Sequence, residues 1–184
     1  MPENIAVDLK NLGAHRDLIK EIADRAYQSI VSIPAGIRKD PKEQTGIWVM
    51  LKEQGTSNIV KFAIESPSEA SNDFCSENAA RSAYFFDFSS LNSRDPERFQ
   101  FGGCITIPIT LPDGSTLLLQ CSTSGLQEPE DTAVDVMILS GILQCSCLDI
   151  CHVVETFDGE LPEEFKEFDH YLNDLLFQSQ QQIS

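Results

Sequence analysis

The chain has 184 residues and 41% hydrophobic content, enough to bury a core in one domain. A formal net charge of -16, from 29 Asp and Glu against 13 Lys and Arg, repels polyanions, and no basic stripe with interleaved aromatics is present, so nucleic acid is excluded as a partner. No run approaches the roughly 20 apolar residues that a bilayer requires. The opening MPENIAVDLKNLGAHRD has neither a basic n-region nor an apolar h-region; the expected setting is therefore a reducing, cytoplasmic one without a membrane.

In chain order, helical spacing of Leu18, Ile19, Ile22, Ala23, Ala26, Ile30 and Val31 predicts a first helix from about Ala14–Asp17 to Ser32, ended by Ile33-Pro34. A polar connection (IRKDPKEQT) leads to two strand-like runs, GIWVMLKE and NIVKFAIE, joined through QGTS as a hairpin. Between Pro67 and Ser90 a second helix is expected, with Ala79, Ala80 and Ala83 as a small face against a sheet and Ser71 or Asn72 as N-cap. Two further strands, CITIPITL and TLLLQCS, flank the turn signal Pro112-Asp113-Gly114.

After 122–125 (STSG), the run QEPEDTAVDVMILSGILQCSCLDIC predicts one long helix, with Pro129 in its first turn and Glu128, Glu130 and Asp131 matching the positive helix end. A last helix (LPEEFKEFDHYLNDLLFQ) places Phe165, Phe168, Leu172, Leu175 and Leu176 along one face, with Phe177 beside them. Strands arriving in adjacent pairs imply an antiparallel sheet and an α+β fold of about five strands, the fifth sought in VVETF or near the N-terminus. The apolar last helix must be covered, by its own sheet or by a second copy, and the expectation is a homodimer or larger homo-oligomer.

The order of the alanine-rich SENAARSAYFF helix, Gly102-Gly103, the Pro108 strand, the Asp113-Gly114 turn, Ser124-Gly125 and Asp131 resembles the GlcG/HbpS-like family, which includes the C-terminal domain of PduO-type proteins. The resemblance spans residues 15–143, with 144–184 as a C-terminal extension, all in one domain. It implies a profilin-like antiparallel sheet with flanking helices, assembly into dimers or rings, and a small-ligand pocket, haem or another tetrapyrrole being one ligand class. The chain departs from the family pattern at LLLQCSTSG, where the family has a glycine-rich strand, and at residues 61–67, where the family has an Arg-Met-Asp-Gly-Ala segment.

Six positions form the candidate ligand site: His15, Phe101, Gly102, Gly103, Ser124 and Gly125. The glycine pair after Phe101 either lets a ligand approach the backbone or starts a strand. The STSG segment either presents amides and hydroxyls to an anion or caps the next helix. His15, on the first helix as in haem-binding relatives, is either an axial ligand or a solvated imidazole beside Arg16. His152 and His170 are weaker candidates.

Cys145, Cys147, Cys151 and His152 have zinc-donor chemistry, but without a second C-x-x-C knuckle they read as core packing, so no metal and six reduced thiols are expected. Motifs of nucleophile elbows, phosphate loops, dinucleotide folds and zinc proteases are missing from the sequence. The reading is a non-enzymatic small-ligand-binding protein; the alternative is a protein-interaction module with a vestigial pocket.

Overall fold

The computed structural model describes residues 5–38, 45–91, 93–98, 100, 102–159 and 166–181. A 3-10 turn, Leu12–His15, leads into α1 (Arg16–Val31). Then follow β1 (Gly46–Glu53), β2 (Ile59–Glu65), α2 (Glu69–Phe85), β3 (Cys104–Thr110), β4 (Thr116–Ser124), α3 (Glu128–Leu143), α4 (Cys147–Asp158) and α5 (Lys166–Gln181). Among the described residues the strands form one antiparallel sheet of four, in the order β2-β1-β4-β3. The fold is α+β. The run VVETF, considered for a fifth strand, lies inside α4.

Strand alternation divides the sheet into two different faces. Ile47, Val49 and Leu51 of β1 share one face with Val60, Phe62 and Ile64 of β2, Ile105, Ile107 and Ile109 of β3, and Leu117, Leu119 and Cys121 of β4. These side chains and those of α1, α3 and α5 form the main core. Full burial of each Leu or Ile contributes roughly 1.5–3 kcal/mol.

The other face carries α2, and its small apolar cluster of Met50, Cys75, Ala79 and Cys104 is surrounded by hydrogen bonds. Ser122 Oγ lies 2.8 Å from the carbonyl oxygens of both Cys75 and Gly103, which share its single proton, and Gln120 Nε2 donates to the carbonyl of Ala79 at 3.2 Å. Of the three alanines expected to face the sheet only Ala79 is buried; Ala80 is exposed and Ala83 half-buried. Polar satisfaction, through Asn78 and Ser82 beside Cys75, sets the contact instead of a small-residue stripe. The N-cap of α2 is Ser68, whose hydroxyl accepts from the Ser71 amide, and not Ser71 or Asn72.

The long helix expected after residue 127 is two helices meeting at a 111° bend. Gln144 turns left-handed (φ 54°), ending α3, and Ser146 begins α4 in a reciprocal cap with Asp149. The Ser146 hydroxyl accepts from the Asp149 amide at 3.2 Å, and the Asp149 carboxylate accepts from the Ser146 amide at 2.9 Å. No single helix among the described residues is long and apolar enough to cross a membrane.

On α5, Tyr171, Leu172, Leu175 and Leu176 are buried, packed chiefly on α3, while Phe177 stays exposed. Most of the described apolar face that called for cover is thus covered within the chain. Phe165, and the surroundings of Phe168, lie outside the described residues.

Candidate functional site

Four of the six candidate positions come together. Gly102 and Gly103 precede β3, Ser124 ends β4, and Gly125 follows it, all around the N-terminal turn of α3. The Thr123 amide donates to the Gly103 carbonyl at 3.1 Å, and the Thr123 hydroxyl to the Asp131 carbonyl at 2.7 Å. The Asp131 carboxylate in turn accepts from the Leu126 amide at 3.0 Å. Ser122, Thr123 and Ser124 therefore belong to β4 and do not form a free turn.

Space here is taken by the protein itself. Gly103 sits at φ 103°, where a Cβ would lie 2.7 Å from the Thr123 carbonyl oxygen. Gly125 sits at φ 147°, where a Cβ would lie 2.3 Å from the Gly46 carbonyl oxygen. Both glycines permit chain-on-chain contact. Phe101 is outside the described residues.

His15 is elsewhere. Its 3-10 turn rests on β2, with the Leu12 amide donating to Asn58 Oδ1 at 3.0 Å, whereas Gly125 abuts Gly46 and Ile47 at the other end of the β1–β2 pair. The histidine is half-exposed and precedes α1 instead of facing the glycines.

A cavity of about 370 Å³ opens between β3, α3, α4 and α5. The bend between α3 and α4 makes it, because α4 leaves the line of α3 and α5 fills only part of the wedge. Leu91, Ile105, Val136, Val154 and Leu172 form apolar walls, and Glu155, Asp158, Lys166 and His170 bring charge-bearing groups to the lining. One wall is fixed by Asp158, whose carboxylate accepts from the amides of Phe88 at 2.7 Å and Ser89 at 2.6 Å. Phe157 stacks on Phe88 with ring centroids 4.6 Å apart.

Of the lining residues only His170 and Cys151, the latter as a zinc-type donor, were singled out in the sequence as candidates. The others come from five separated segments and share no local motif. A second, wider groove of about 820 Å³ runs between α1 and the α3–α4 junction.

Buried charge concentrates on α3. Each acid of its first turn has a fixed role: Glu128 pairs with Arg94 at 2.6 Å, Glu130 with Arg38 at 2.6 Å, and Asp131 holds the preceding loop. One turn on, Asp135 is fully buried, and among the described residues neither of its carboxyl oxygens has a hydrogen-bond partner. The Cys121 thiol and Thr123 hydroxyl approach it without reaching hydrogen-bonding geometry, Thr123 being committed to Asp131. Burial first, then the charge of Asp131, pushes the Asp135 carboxyl well above the usual carboxylate range.

All six cysteines are free thiols. Burial raises Cys75 to about 12 and moves Cys104 and Cys121 up as well. Cys145 lies between the helices, Cys147 is buried at the start of α4, and Cys151 is half-buried. Among the described residues no group of three or more His, Cys, Asp or Glu could hold a metal ion. A thiolate is the reacting form, so a disulfide-exchange reagent at pH 8 should leave Cys75, Cys104 and Cys121 untouched in the native protein and count six thiols after denaturation. Fast native labelling at Cys104 or Cys121 would contradict the packing.

Comparison of the chain with protein-family models, with curated proteins and with solved structures gives no match.

Proposed function

We propose that the protein binds a small, partly apolar ligand in the cavity between β3, α3, α4 and α5. The observation that carries this reading is the cavity itself: its volume of about 370 Å³ falls within the range of ligand pockets, and its apolar walls with a few charged groups are the usual composition of such sites. A ligand with an apolar body and one polar end would bury the former against Val136, Val154 and Leu172 and turn the latter toward His170 and Lys166. The order of motifs supports the finer assignment, to the profilin-like fold of GlcG/HbpS-like proteins, as part of the same proposal. Self-association belongs to it as well, with Phe177 of α5 and Leu148 of α4 as exposed apolar residues left for contact.

Thermal-shift titration against a panel of small aromatic and aliphatic acids, haem included, tests the reading. At least one compound should raise the unfolding midpoint, and Val154→Trp, which fills the cavity, should abolish that shift while leaving the fold intact. For haem, loss of a Soret shift in His170→Ala would place the iron at the cavity, and loss in His15→Ala would place it at the first helix. A panel without any stabilising compound, or stabilisation indifferent to Val154→Trp, would reject the cavity as the site.

A further inference from the structure

The C-terminal end of α2 exposes three consecutive aromatic rings: Tyr84 is 77% exposed, Phe85 54% and Phe86 82%. The fold does not use them. The buried face of α2 consists of Cys75, Asn78, Ala79, Arg81 and Ser82, and the three exposed rings are not part of it. They are nevertheless held in place. Phe86 is left-handed (φ 57°), its amide bonded to the Ser82 carbonyl, and the next amide, of Asp87, reaches the same carbonyl at 3.0 Å. The Ser82 hydroxyl donates to the Asp87 carbonyl at 2.6 Å, and Tyr84 meets Phe85 edge-to-face at 5.0 Å. A left-handed helix end favours glycine or asparagine, so a phenyl ring here is a cost to the fold.

The exposed face of α2 that leads to these rings is mainly acidic, although Lys61 of β2 is set against the same helix, donating to the Asn72 carbonyl at 3.0 Å and to Ser76 Oγ at 2.6 Å. Asp73, Glu77, Ala80 and Tyr84 recur at helical spacing and are all exposed, making one acidic stripe that runs into the aromatics. Arg81 is the only cation between residues 62 and 93, and it is turned inward onto the Ser90 carbonyl at 3.1 Å and Ser93 Oγ at 3.1 Å. Apolar anchors beside carboxylates, on a chain of net charge -16, repel nucleic acid and anionic lipid and favour a cationic partner.

We propose that this surface docks a basic amphipathic segment of another protein, its apolar residues seated on Tyr84, Phe85 and Phe86 and its cations facing Asp73 and Glu77. Such segments are recognised as helices by apolar anchors at helical spacing, and clustered aromatics are the residues that dominate interface energy. The proposal is independent of the cavity and stands or falls without it.

The probe is a fluorescein-labelled amphipathic peptide of lysine and leucine, titrated with the full chain and followed by anisotropy. Wild-type protein should bind it saturably, with affinity falling as salt rises. Tyr84→Ser combined with Phe86→Gly should weaken binding about tenfold or more, and Glu77→Lys should weaken it as well. Because Phe86→Gly relieves a left-handed backbone, that variant should unfold at the wild-type temperature or above, so lost binding will not reflect lost fold. Val154→Trp should bind the peptide as wild type does.

Three results would overturn the proposal. One is peptide binding unchanged by the aromatic substitutions, and another is equal binding of a glutamate–leucine peptide. The third is light scattering in which wild type is larger than Phe86→Gly, which would assign the ridge to self-association.

Discussion

Glu130→Ala is expected to destabilise the protein by about 3–5 kcal/mol, the cost of leaving one member of a buried ion pair alone. Arg38 Nε donates to Glu130 Oε1 at 2.6 Å and Nη2 to Oε2 at 2.8 Å, in a bidentate arrangement. The Arg38 side chain is 7% exposed and that of Glu130 0%, so water cannot take over either role. The hydrogen bond from Arg38 to Glu130 is the leading cause that raises the arginine above its ordinary value. Glu130 also accepts from the Gln127 amide, closing the cap of α3, so alanine removes an intrahelical function as well.

The loss compares with a total stability of roughly 5–15 kcal/mol for a domain. Urea unfolding should show a lower midpoint with little change in slope. Arg38→Met combined with Glu130→Leu should recover most of the loss, because apolar replacement of both partners removes the stranded charge. A loss below about 1 kcal/mol in Glu130→Ala would mean that Arg38 finds water or another acceptor when its partner is gone.

That pair also shows what a sequence can disclose. Glu130 was legible as an acid at a helix N-terminus, because local electrostatics acts within one turn. Its partner, 92 residues away in chain numbering, was not, because no short-range signal relates the two. The same division runs through the fold. Apolar spacing in α1 and alternation in β2 are local consequences of one buried face, and the short apolar runs of β1, β3 and β4 are those of strands covered on both faces; all were readable as elements. The α3–α4 break was obscured by an apolar run that continues on both sides, although Ser146 and Asp149 carry the spacing of a cap in plain view.

Ser122 and Gln120 are polar residues inside the predicted strand TLLLQCS, and in the fold they hydrogen-bond α2. At the candidate site, Gly102 and Gly103 were read as ligand approach or strand start and Gly125 as part of an anion-presenting or capping segment; in the fold what approaches these glycines is Leu91, Thr123 and Gly46. The cavity could not be read locally, because its walls meet only after α4 turns away from α3 and α5 returns to it.

Stability should fall as pH rises above the unfolded aspartate value of about 3.9 by a contribution that Asp135→Asn abolishes. An unfolded aspartate titrates near 3.9, and the folded Asp135 carboxyl titrates well above that. Below both values the folded and unfolded chains hold the proton alike, and the residue's favourable contribution is fully present. Between them the unfolded chain releases a proton that the folded chain keeps, so stability declines by up to about 1.4 kcal/mol per pH unit until the folded carboxyl itself ionises.

Among the groups that perturb this carboxyl, burial and Asp131 push it up, and the Cys121 thiol and Thr123 hydroxyl pull it down by less. Asp131 on the same helix carries like charge, and the neutral thiols of Cys121, Cys104 and Cys75 provide no compensating cation. Other carboxylates pull the opposite way: hydrogen bonds from Ser115 hold Asp113 down at about 2, and those from Ser146 lower Asp149, so both favour the folded state as pH rises past their folded values. The readout is therefore the difference between wild type and Asp135→Asn in urea midpoint across pH. It should be smallest near pH 4 and move steadily in the variant's favour as pH rises, because asparagine avoids ionisation in the core. Parallel pH curves for the two proteins would show that Asp135 is charged in the folded state, with a partner that relaxation of the α3–β4 contact brings to it.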